Sequence, residues 1–329
     1  MIITQTPLRI GLVGGGTDLP AYYRTHGGRV LNAAIDKYVY VVVKQRFDDD
    51  IYVNYSKKEI VSRVDDLEHE LVREAMHMTG VQGGVEITTL ADIPSAGSGL
   101  GSSSSVTVGL LHALFAYQGR QVSAEELAER ACTIEIDRCR KPIGKQDQYA
   151  AAFGGICDLH FGPGDRVAID QLRLESSAHR SLQGELMLFY TGITRSADTI
   201  LGEQRANTGN RLPQLDQLRD LAREAADGLR GGDISAVGAA LYKGWEAKRT
   251  LASGVSNPQI DDAVEAALDT GATGAKVTGA GGGGFLLVVC PVERQRAVRD
   301  RLATMKELPI KLDQLGSRIV LNVHRDIWS

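Results

Sequence analysis

The sequence contains little cysteine, and its cysteines lack the spacing of a disulfide framework or a zinc site. Only four occur in 329 residues, Cys132, Cys139, Cys157 and Cys290, and no two of them form a CxxC pair. Small secreted domains and cysteine zinc sites need denser and more regular patterns than this. We therefore expect four free thiols that pack as small apolar residues in a reducing compartment.

Long apolar runs and an excess of positive charge are also missing. The longest apolar runs, at 38–43 and 285–290, are far shorter than the roughly 20 residues of a membrane helix. Met1 is not followed by a signal-peptide pattern. The formal net charge of -4 argues against a general surface for polyanions. These absences predict a cytoplasmic protein that has neither a membrane nor a nucleic acid as partner.

The length and the apolar pattern predict a globular protein of two domains. Hydrophobic residues make up 43% of the chain and charged residues 24%, which is ordinary for a soluble domain. Strand-like patterns prevail in the first hundred residues, whereas long helical patterns follow residue 185. The polar segment 175–183 separates the two regions. We therefore predict an N-terminal domain over 1–180 and a C-terminal domain over 181–329.

Local signals place several helices. Apolar residues at four-residue spacing predict helices over 65–79 and 105–117. Ser123 and Glu126 form a capping box that begins another helix, and Asn257-Pro258 supplies an N-cap followed by a first-turn proline. A short helix is predicted over 147–153.

Glycine is concentrated in three segments, at 11–16, 97–103 and 279–284. Glycine allows positive φ angles and lets a ligand approach the backbone amides closely. The second segment, within PSAGSGLGSSSSV (94–106), follows a strand-like run and leads into a helix, which is the arrangement of an anion site at a helix N-terminus. The residues alone leave two interpretations open: a phosphate-binding loop, or a helix-capping turn without a ligand.

Two common nucleotide-binding patterns are absent. No GxxxxGK[ST] occurs, and no lysine lies within 97–103, so the segment is not a Walker loop. The first segment, GLVGGG (11–16), lacks GxGxxG spacing and is followed by Pro20, which disfavours a Rossmann-type dehydrogenase.

Titratable residues suited to phosphoryl transfer follow the second glycine-rich segment. A kinase needs a carboxylate to accept the hydroxyl proton, a cation to stabilise developing charge, and a metal on the phosphates. Asp147 and Glu135 could supply the carboxylates, and Arg9 or Lys145 the cation. The competing interpretation is that the charged residues of 135–141 form a solvated helix face.

Three segments resemble, in order and separation, the three motifs of the GHMP kinases. They are PLRIGLVGGGTDLP (7–20), PSAGSGLGSSSSV (94–106) and KVTGAGGGGF (276–285). GKQDQYAAAFGG (144–155) resembles the catalytic-aspartate segment of that family, which includes galactokinase and mevalonate kinase. The resemblance implies an α+β fold with an N-terminal ribosomal-protein-like domain, a C-terminal ferredoxin-like domain, and an active site between them.

The resemblance also implies roles for individual residues. Asp147 would accept the proton of the acceptor hydroxyl, and Arg9 would steady that hydroxyl or the phosphoryl group. Ser103 and Glu135 match the Mg²⁺ ligands. The residues that would wrap the ATP phosphates are Gly97, Ser98, Gly99, Leu100, Gly101, Ser102, Ser103 and Ser104. Ser104-Ser105 replaces the usual alanine pair, so the sequence does not decide which serine hydroxyl reaches the metal.

The substrate is expected to bind beside the first and third motifs. The residues assigned to it are Gly15, Gly16, Thr17, Asp18, Lys145 and Arg195. The third-motif glycines, Gly279, Gly281 and Gly282, would close over the phosphates. The first motif reads GGGTD where galactokinase has GEHTD, so a sugar-contacting glutamate is absent.

The segments GGGTDLPAYY and TGITRSADTIL (191–201) resemble the sequences of the family branch that acts on D-glycero-D-manno-heptose 7-phosphate and L-fucose. We expect ATP-dependent phosphorylation of the anomeric hydroxyl of the heptose phosphate, giving the 1,7-bisphosphate for GDP-heptose and capsule precursors. The candidate cations for the acceptor phosphate are Arg195, Lys145, Lys141, Arg138 and Arg29. ATP with Mg²⁺ and a sugar phosphate are the expected ligands, and a homodimer stays open.

Two alternatives remain. One is a kinase of L-fucose or another free sugar. The other is a catalytically inactive relative that senses ATP and sugar, against which the presence of Asp147, Arg9, Ser103 and Glu135 argues.

Overall fold

The computed structural model describes residues 1–93, 97–194 and 196–323. Residues 94–96 of the second motif and the candidate Arg195 therefore lie outside the described residues. The strands are β1 (Ile2–Val13), β2 (Gly28–Gln45), β3 (Ile51–Asn54), β4 (Lys58–Val61), β5 (Val85–Ala91), β6 (Ile156–Phe161), β7 (Val167–Gln171), β8 (Leu186–Tyr190), β9 (Gly274–Val277), β10 (Phe285–Val289), β11 (Lys306–Glu307) and β12 (Arg318–Asn322).

Helices cover both sheets. They are α1 (Pro20–His26), α2 (Glu70–Thr79), α3 (Ser102–Tyr117), α4 (Ala124–Cys132), α5 (Gln146–Phe153), α6 (Ser176–Glu185), α7 (Ala197–Asn207), α8 (Leu212–Arg230), α9 (Ser235–Lys248), α10 (Pro258–Asp269) and α11 (Gln295–Arg301). Among the helices described, none is both long and apolar enough to cross a membrane.

The strands form two sheets, so the predicted α+β architecture is confirmed. The first has the order β12-β1-β2-β5-β3-β4, and β6 joins it by pairing with β2 and with β7. The long β2 serves two partners, because residues 39–45 pair with β5 and residues 28–33 with β6. The second sheet is antiparallel, with the order β11-β8-β10-β9.

The cap signals are confirmed, whereas two predicted helix starts differ from the structure. The Ser123 hydroxyl accepts a hydrogen bond from the amide of Glu126, and the Asn257 side chain accepts from the amide of Ile260. Helix α3 begins at Ser102 rather than at residue 105. Helix α2 begins at Glu70 rather than at residue 65. A separate 3₁₀ turn occupies residues 64–66, and a new N-cap at His69 then starts α2.

Helix α3 lies directly against the first sheet and is buried on nearly every side. Gly109 makes the close approach feasible, since a Cβ there would lie 3.0 Å from Oγ1 of Thr6 and 3.1 Å from Val41. The sheet therefore fixes where α3 begins, and the helix starts at Ser102, directly after the glycine-rich segment.

One C-terminal strand departs from the predicted sequential division into 1–180 and 181–329. The predicted boundary near residue 180 falls inside α6, ahead of the second sheet. However, β12, which the sequential division assigns to the C-terminal domain, pairs with β1 at the edge of the first sheet. Helix α8 also packs against β1 and β2. The C-terminal region therefore completes the first sheet because the outer edge of β1 needs a partner.

The four cysteines are free. Cys132, Cys157 and Cys290 are buried as expected, and Cys139 is partly buried. Burial raises the thiol pKa of each, which keeps the thiols protonated and unreactive.

Candidate active site

A buried ion pair joins β1 to the first turn of α5. Arg9 donates from Nε and Nη2 to the two carboxylate oxygens of Asp147, at 2.8 and 2.7 Å. Arg9 is 4% exposed, whereas the Asp147 side chain keeps about a quarter of its surface open. Nη1 of Arg9 also donates to the carbonyl oxygen of Gly99 at 2.6 Å. The guanidinium thus orients the carboxylate and ties it to the second glycine motif.

The second motif is a turn with repeated positive φ angles, which ends where α3 begins. Gly97, Gly99 and Gly101 have φ of 69°, 71° and 76°. The Ser98 and Ser102 hydroxyls are 3.1 Å apart and hydrogen-bonded. Since the first amides of a helix lack internal acceptors, the start of α3 offers N–H groups and a positive dipole to an anion. The structure therefore places the predicted phosphate segment where phosphate binding is favoured.

The Glu135 carboxylate accepts hydrogen bonds from two serine hydroxyls next to this loop. Ser103 donates to Oε1 at 2.7 Å, while Ser104 and Gln148 donate to Oε2 at 2.7 and 2.6 Å. Burial raises the pKa of Glu135, and the three hydrogen bonds partly oppose that shift. Ser104 is buried, but Ser103 is partly open and lies 3.4 Å from Nζ of Lys141. Both hydroxyls thus bind the same carboxylate, and Ser103 is the one that faces outward.

A π-helical turn after α4 (Thr133–Arg138) carries Glu135. Such turns are rare and often occur at functional sites. Glu135 is 0% exposed, so the solvated-face interpretation of 135–141 is wrong for this residue. It holds for Arg138, which is exposed and pairs with Glu74.

Asp18 and Asp147 line the same pocket. The Asp18 carboxylate accepts hydrogen bonds from the amide of Gly16 at 3.0 Å, from the Gln146 side chain at 3.0 Å and from the Gln146 amide at 3.3 Å. Burial raises the pKa of Asp18, and the charge of Asp147 raises it further. A Cβ on Gly144 would overlap the Asp18 carboxylate, so this glycine is required for the close approach.

The third motif packs directly on the second. A Cβ on Gly279 would lie 2.6 Å from Cα of Gly99, and one on Gly284 would lie 2.5 Å from the carbonyl oxygen of Ser98. The Thr278 hydroxyl donates to the same Ser98 oxygen at 3.3 Å. Both turns therefore need glycine at the contact, and the second sheet meets the first domain at the glycine loop. Gly281 and Gly282 lie against Val255 instead.

Two buried lysines line the pocket, and the sequence interpretation missed both. Nζ of Lys248 donates to the carbonyl oxygen of Gly279 at 2.7 Å, and Nζ of Lys276 donates to that of Leu12 at 3.1 Å. Burial lowers the pKa of Lys248 to about 8. Burial and the neighbouring cations also lower the pKa of Lys276 well below its ordinary value. A signal for Lys248 existed, because it lies on the apolar stripe of α9 with Leu241 and Trp245.

The remaining sequence candidates lie partly in the pocket and partly outside it. Gly15 and Gly16 line the pocket. The Thr17 hydroxyl instead donates to the carbonyl oxygens of Gly14 in the same turn and of Arg29 in β2. Lys145 points to the carbonyl oxygen of Asp165 in a separate cavity. Arg29 forms an ion pair with Asp158, and Lys141 forms one with Glu70. Of the five cations predicted for the acceptor phosphate, the four described ones all lie outside the Asp18–Asp147 pocket.

Family models for GHMP kinases match both parts of the chain. The model of the GHMP kinases N terminal domain matches residues 53–155, and that of the GHMP kinases C terminal domain matches residues 222–307. D-glycero-alpha-D-manno-heptose 7-phosphate kinase of Campylobacter jejuni is 32% identical to this chain, over 91% of this chain and 92% of that protein.

Two further comparisons agree with the family. The crystal structure of a D-glycero-D-manno-heptose 1-phosphate kinase from Bacteroides thetaiotaomicron superposes with a TM-score of 0.82 at 25% identity, covering 99% of this chain and all of the other. L-fucokinase/L-fucose-1-P guanylyltransferase of Bacteroides fragilis is 29% identical over 93% of this chain, which spans 36% of that longer protein. From its matched domains, its fold and the assembled pocket, this chain belongs to the GHMP kinase family and is an ATP-dependent sugar kinase.

Proposed function

We propose that this kinase transfers the γ-phosphoryl group of ATP to the anomeric hydroxyl of D-glycero-D-manno-heptose 7-phosphate, giving the 1,7-bisphosphate for GDP-heptose and capsule precursors. The observation that carries the chemistry is the Arg9–Asp147 pair, held against the glycine loop beside the buried Asp18. The similarity to the Campylobacter jejuni heptose 7-phosphate kinase supports the choice of sugar.

The ATP phosphates bind along residues 97–104. The backbone amides of the loop and of the first turn of α3 face them, and the helix dipole favours their negative charge. The contact between Gly279 and Gly99 closes the loop from the second domain.

The residues around Glu135 fit a magnesium ion. A carboxylate and a hydroxyl, from Glu135 and Ser103, lie 2.7 Å apart at the start of α3, and Mg²⁺ prefers oxygen ligands of this kind together with phosphate oxygens and water. When bound, Mg²⁺ would neutralise charge on the ATP phosphates. Ser104 and Gln148 hold the second oxygen of Glu135 and so orient the carboxylate.

Asp18 and Asp147 take separate roles toward the sugar. Asp18, fixed by Gly16 and Gln146, accepts hydrogen bonds from sugar hydroxyls at the base of the pocket. Asp147, oriented by Arg9 and still partly open, accepts the proton of the anomeric hydroxyl as that oxygen attacks the γ-phosphorus.

A second candidate is an L-fucose 1-kinase, favoured by the similarity to the Bacteroides fragilis fucokinase. The test is ADP release by the purified protein with ATP and Mg²⁺, using heptose 7-phosphate, free heptose and L-fucose in parallel. We expect the highest kcat/KM with heptose 7-phosphate and a product whose mass corresponds to a bisphosphate. A higher kcat/KM with L-fucose would contradict the heptose proposal and establish the second candidate. Asp147→Asn is the matched control for contaminating kinases.

A further inference from the structure

Lys248 is a buried cation without a carboxylate partner in the described part of the chain. It ends α9, is 6% exposed, and donates one hydrogen bond, to the carbonyl oxygen of Gly279 at 2.7 Å. Within residues 1–93, 97–194 and 196–323, no Asp or Glu oxygen lies within 4.0 Å of its ammonium. An ammonium has three donors, so two of them remain for a ligand. The charges of Asp18 and Asp147 act on it only from beyond contact distance. Because a buried charge without a contacting partner lowers stability, we infer a binding role for Lys248.

The ammonium lies where the two domains meet around the glycine loop. Lys248 binds Gly279, and Gly279 packs on Gly99, whose carbonyl oxygen accepts from Arg9. Arg9 and Lys248 therefore bind the two glycines that form this contact. A Cβ on Gly15 would lie 3.1 Å from Nζ of Lys248, so the ammonium also borders the first motif.

Arg9 already has a carboxylate partner. Nε and Nη2 donate to Asp147 and Nη1 donates to Gly99, so three of its five N–H donors are used within the protein. Lys276, the other lysine of the pocket, donates to Leu12 in β1 and not to a glycine motif. Among the described cations that line the pocket, Lys248 is the one that contacts Gly279 of the third motif, and it has no carboxylate of the described residues within 4.0 Å.

We propose that Lys248 is a catalytic residue that donates hydrogen bonds to the oxygens of the transferring phosphoryl group. In that step the acceptor oxygen forms a bond to the γ-phosphorus, the bond to the β–γ bridging oxygen breaks, and ADP leaves with that electron pair. The hydroxyl proton passes to Asp147, and Lys248 keeps its own protons. A preorganised donor in a site that excludes water stabilises the charge that develops on the phosphoryl oxygens.

The inference rests on the proposed phosphoryl transfer to a sugar but not on the identity of the sugar. If the enzyme prefers another acceptor, the experiment below is done with that acceptor, and the two proposals fail separately.

The first measurement compares Lys248→Met with Lys243→Met, an exposed lysine of the same helix. Removing one donor to a developing oxyanion lowers kcat by roughly 10²–10³. We expect that loss for Lys248→Met, with the KM for the sugar and the Kd for ADP within about threefold of wild type. Lys243→Met should retain wild-type kcat. A Lys248→Met kcat within threefold of wild type would refute the proposal.

The second measurement separates the phosphoryl group from the acceptor's own phosphate. With heptose 7-phosphate and free heptose, the kcat loss in Lys248→Met should be the same. A loss confined to the phosphorylated sugar would show that Lys248 binds the acceptor phosphate and would overturn the inference.

The third measurement excludes a merely structural role. A mixture of ADP, aluminium fluoride and sugar mimics the transition state of phosphoryl transfer. Lys248→Met should bind this mixture at least about tenfold more weakly than wild type while it binds ADP alone equally well. An equal weakening of both would mean that Lys248 only holds the loop. Lys248→Gln serves in each assay if the Met variant does not fold.

Discussion

At the scale of single residues, burial decides the charge that each side chain brings to the pocket. Burial raises the pKa of Asp18, whereas hydrogen bonds from Gly16 and Gln146 oppose that shift. Burial lowers the pKa of Lys248 to about 8, and the charges of Asp18 and Asp147 oppose that shift. Arg9 meets Asp147 in a bidentate pair, which is the strongest arrangement of a guanidinium and a carboxylate. The protein therefore sets the orientation of these side chains before any ligand binds.

Asp147→Asn should lower kcat by roughly 10²–10⁴, because the amide cannot accept the hydroxyl proton. Arg9 can still donate to the amide oxygen, so we expect ATP and sugar affinities close to wild type. Steady-state kinetics and calorimetric titration would test this. Full turnover with normal binding would show that another group takes the proton.

Lys248→Met should stabilise the protein near pH 7. The pKa of Lys248 falls from an unfolded value of 10.5 to about 8, and one pKa unit corresponds to about 1.4 kcal/mol, so charge burial costs roughly 3 kcal/mol at neutral pH. Between about pH 8 and 10.5 the unfolded state binds more protons than the folded state, so this cost declines as pH rises. Urea unfolding at pH 7 and pH 10 should therefore show an advantage of the variant that shrinks with pH. A variant less stable than wild type at pH 7 would contradict this account.

At the scale of elements, two glycine turns and a helix start define the nucleotide site. The turn between β9 and β10 lies against the loop before α3 without room for side chains. Each turn has positive φ angles at the contact, with Gly99 at 71° and Gly279 at 68°. The loop is therefore shaped by the second domain as well as by its own residues.

Gly279→Ala should disturb this contact. Its Cβ would lie 2.6 Å from Cα of Gly99, so the loop must shift, and we expect ATP affinity to fall at least about tenfold. Gly80→Ala is the matched control, since Gly80 has φ of 80° and a Cβ there would meet nothing within 4 Å. That control should lose only about 1 kcal/mol of stability through strained backbone and keep its ATP affinity. Equal ATP affinities in the two variants would argue against the contact.

At the scale of the whole molecule, the C-terminal region is attached to the first sheet at two places. Strand β12 pairs with β1, and α8 packs on β2. An ion network reinforces the second attachment. Asp158 of β6 accepts from Arg29 of β2 at 2.8 and 2.6 Å and from Arg230 at the end of α8 at 2.7 Å.

Asp158→Asn should destabilise the protein by about 3–5 kcal/mol, because it leaves the mostly buried Arg29 guanidinium without the carboxylate that binds it directly. Asp158 is 0% exposed; burial opposes its ionisation, but hydrogen bonds from Arg29, His160 and Arg230 prevail and lower its pKa. Its stabilisation is therefore present above the unfolded value of 3.8 and is lost as pH falls below it.

Unfolding curves from pH 3 to 7 should show the gap between wild type and Asp158→Asn narrowing toward pH 3. Asp227→Asn is the control, because Asp227 binds the same Arg230 at 2.7 Å but is 59% exposed, and such a pair contributes about 0–1 kcal/mol. Equal losses in the two variants would mean that burial of Asp158 does not matter.

The sequence predicted those features that depend on neighbouring residues. Ser123 and Asn257 cap helices through amides three residues away, and the glycine segments mark turns wherever they occur. The same short-range reasoning misplaced the start of α2 because it could not see the separate turn before His69. It also grouped Glu135 with Arg138, although one is buried and the other exposed.

The sequence by itself thus determined the α+β class, the glycine motifs and the acidic and basic residues from which a kinase pocket can be built. The tertiary structure alone decided which charged side chains meet. It directs Lys145 to Asp165, brings Lys248 to Gly279 across 31 residues of chain, and returns β12 to β1. The physical reason is that a buried charge is tolerated only where packing brings a partner or a ligand to it. Because that partner lies far away in the sequence, a local sequence pattern does not predict it.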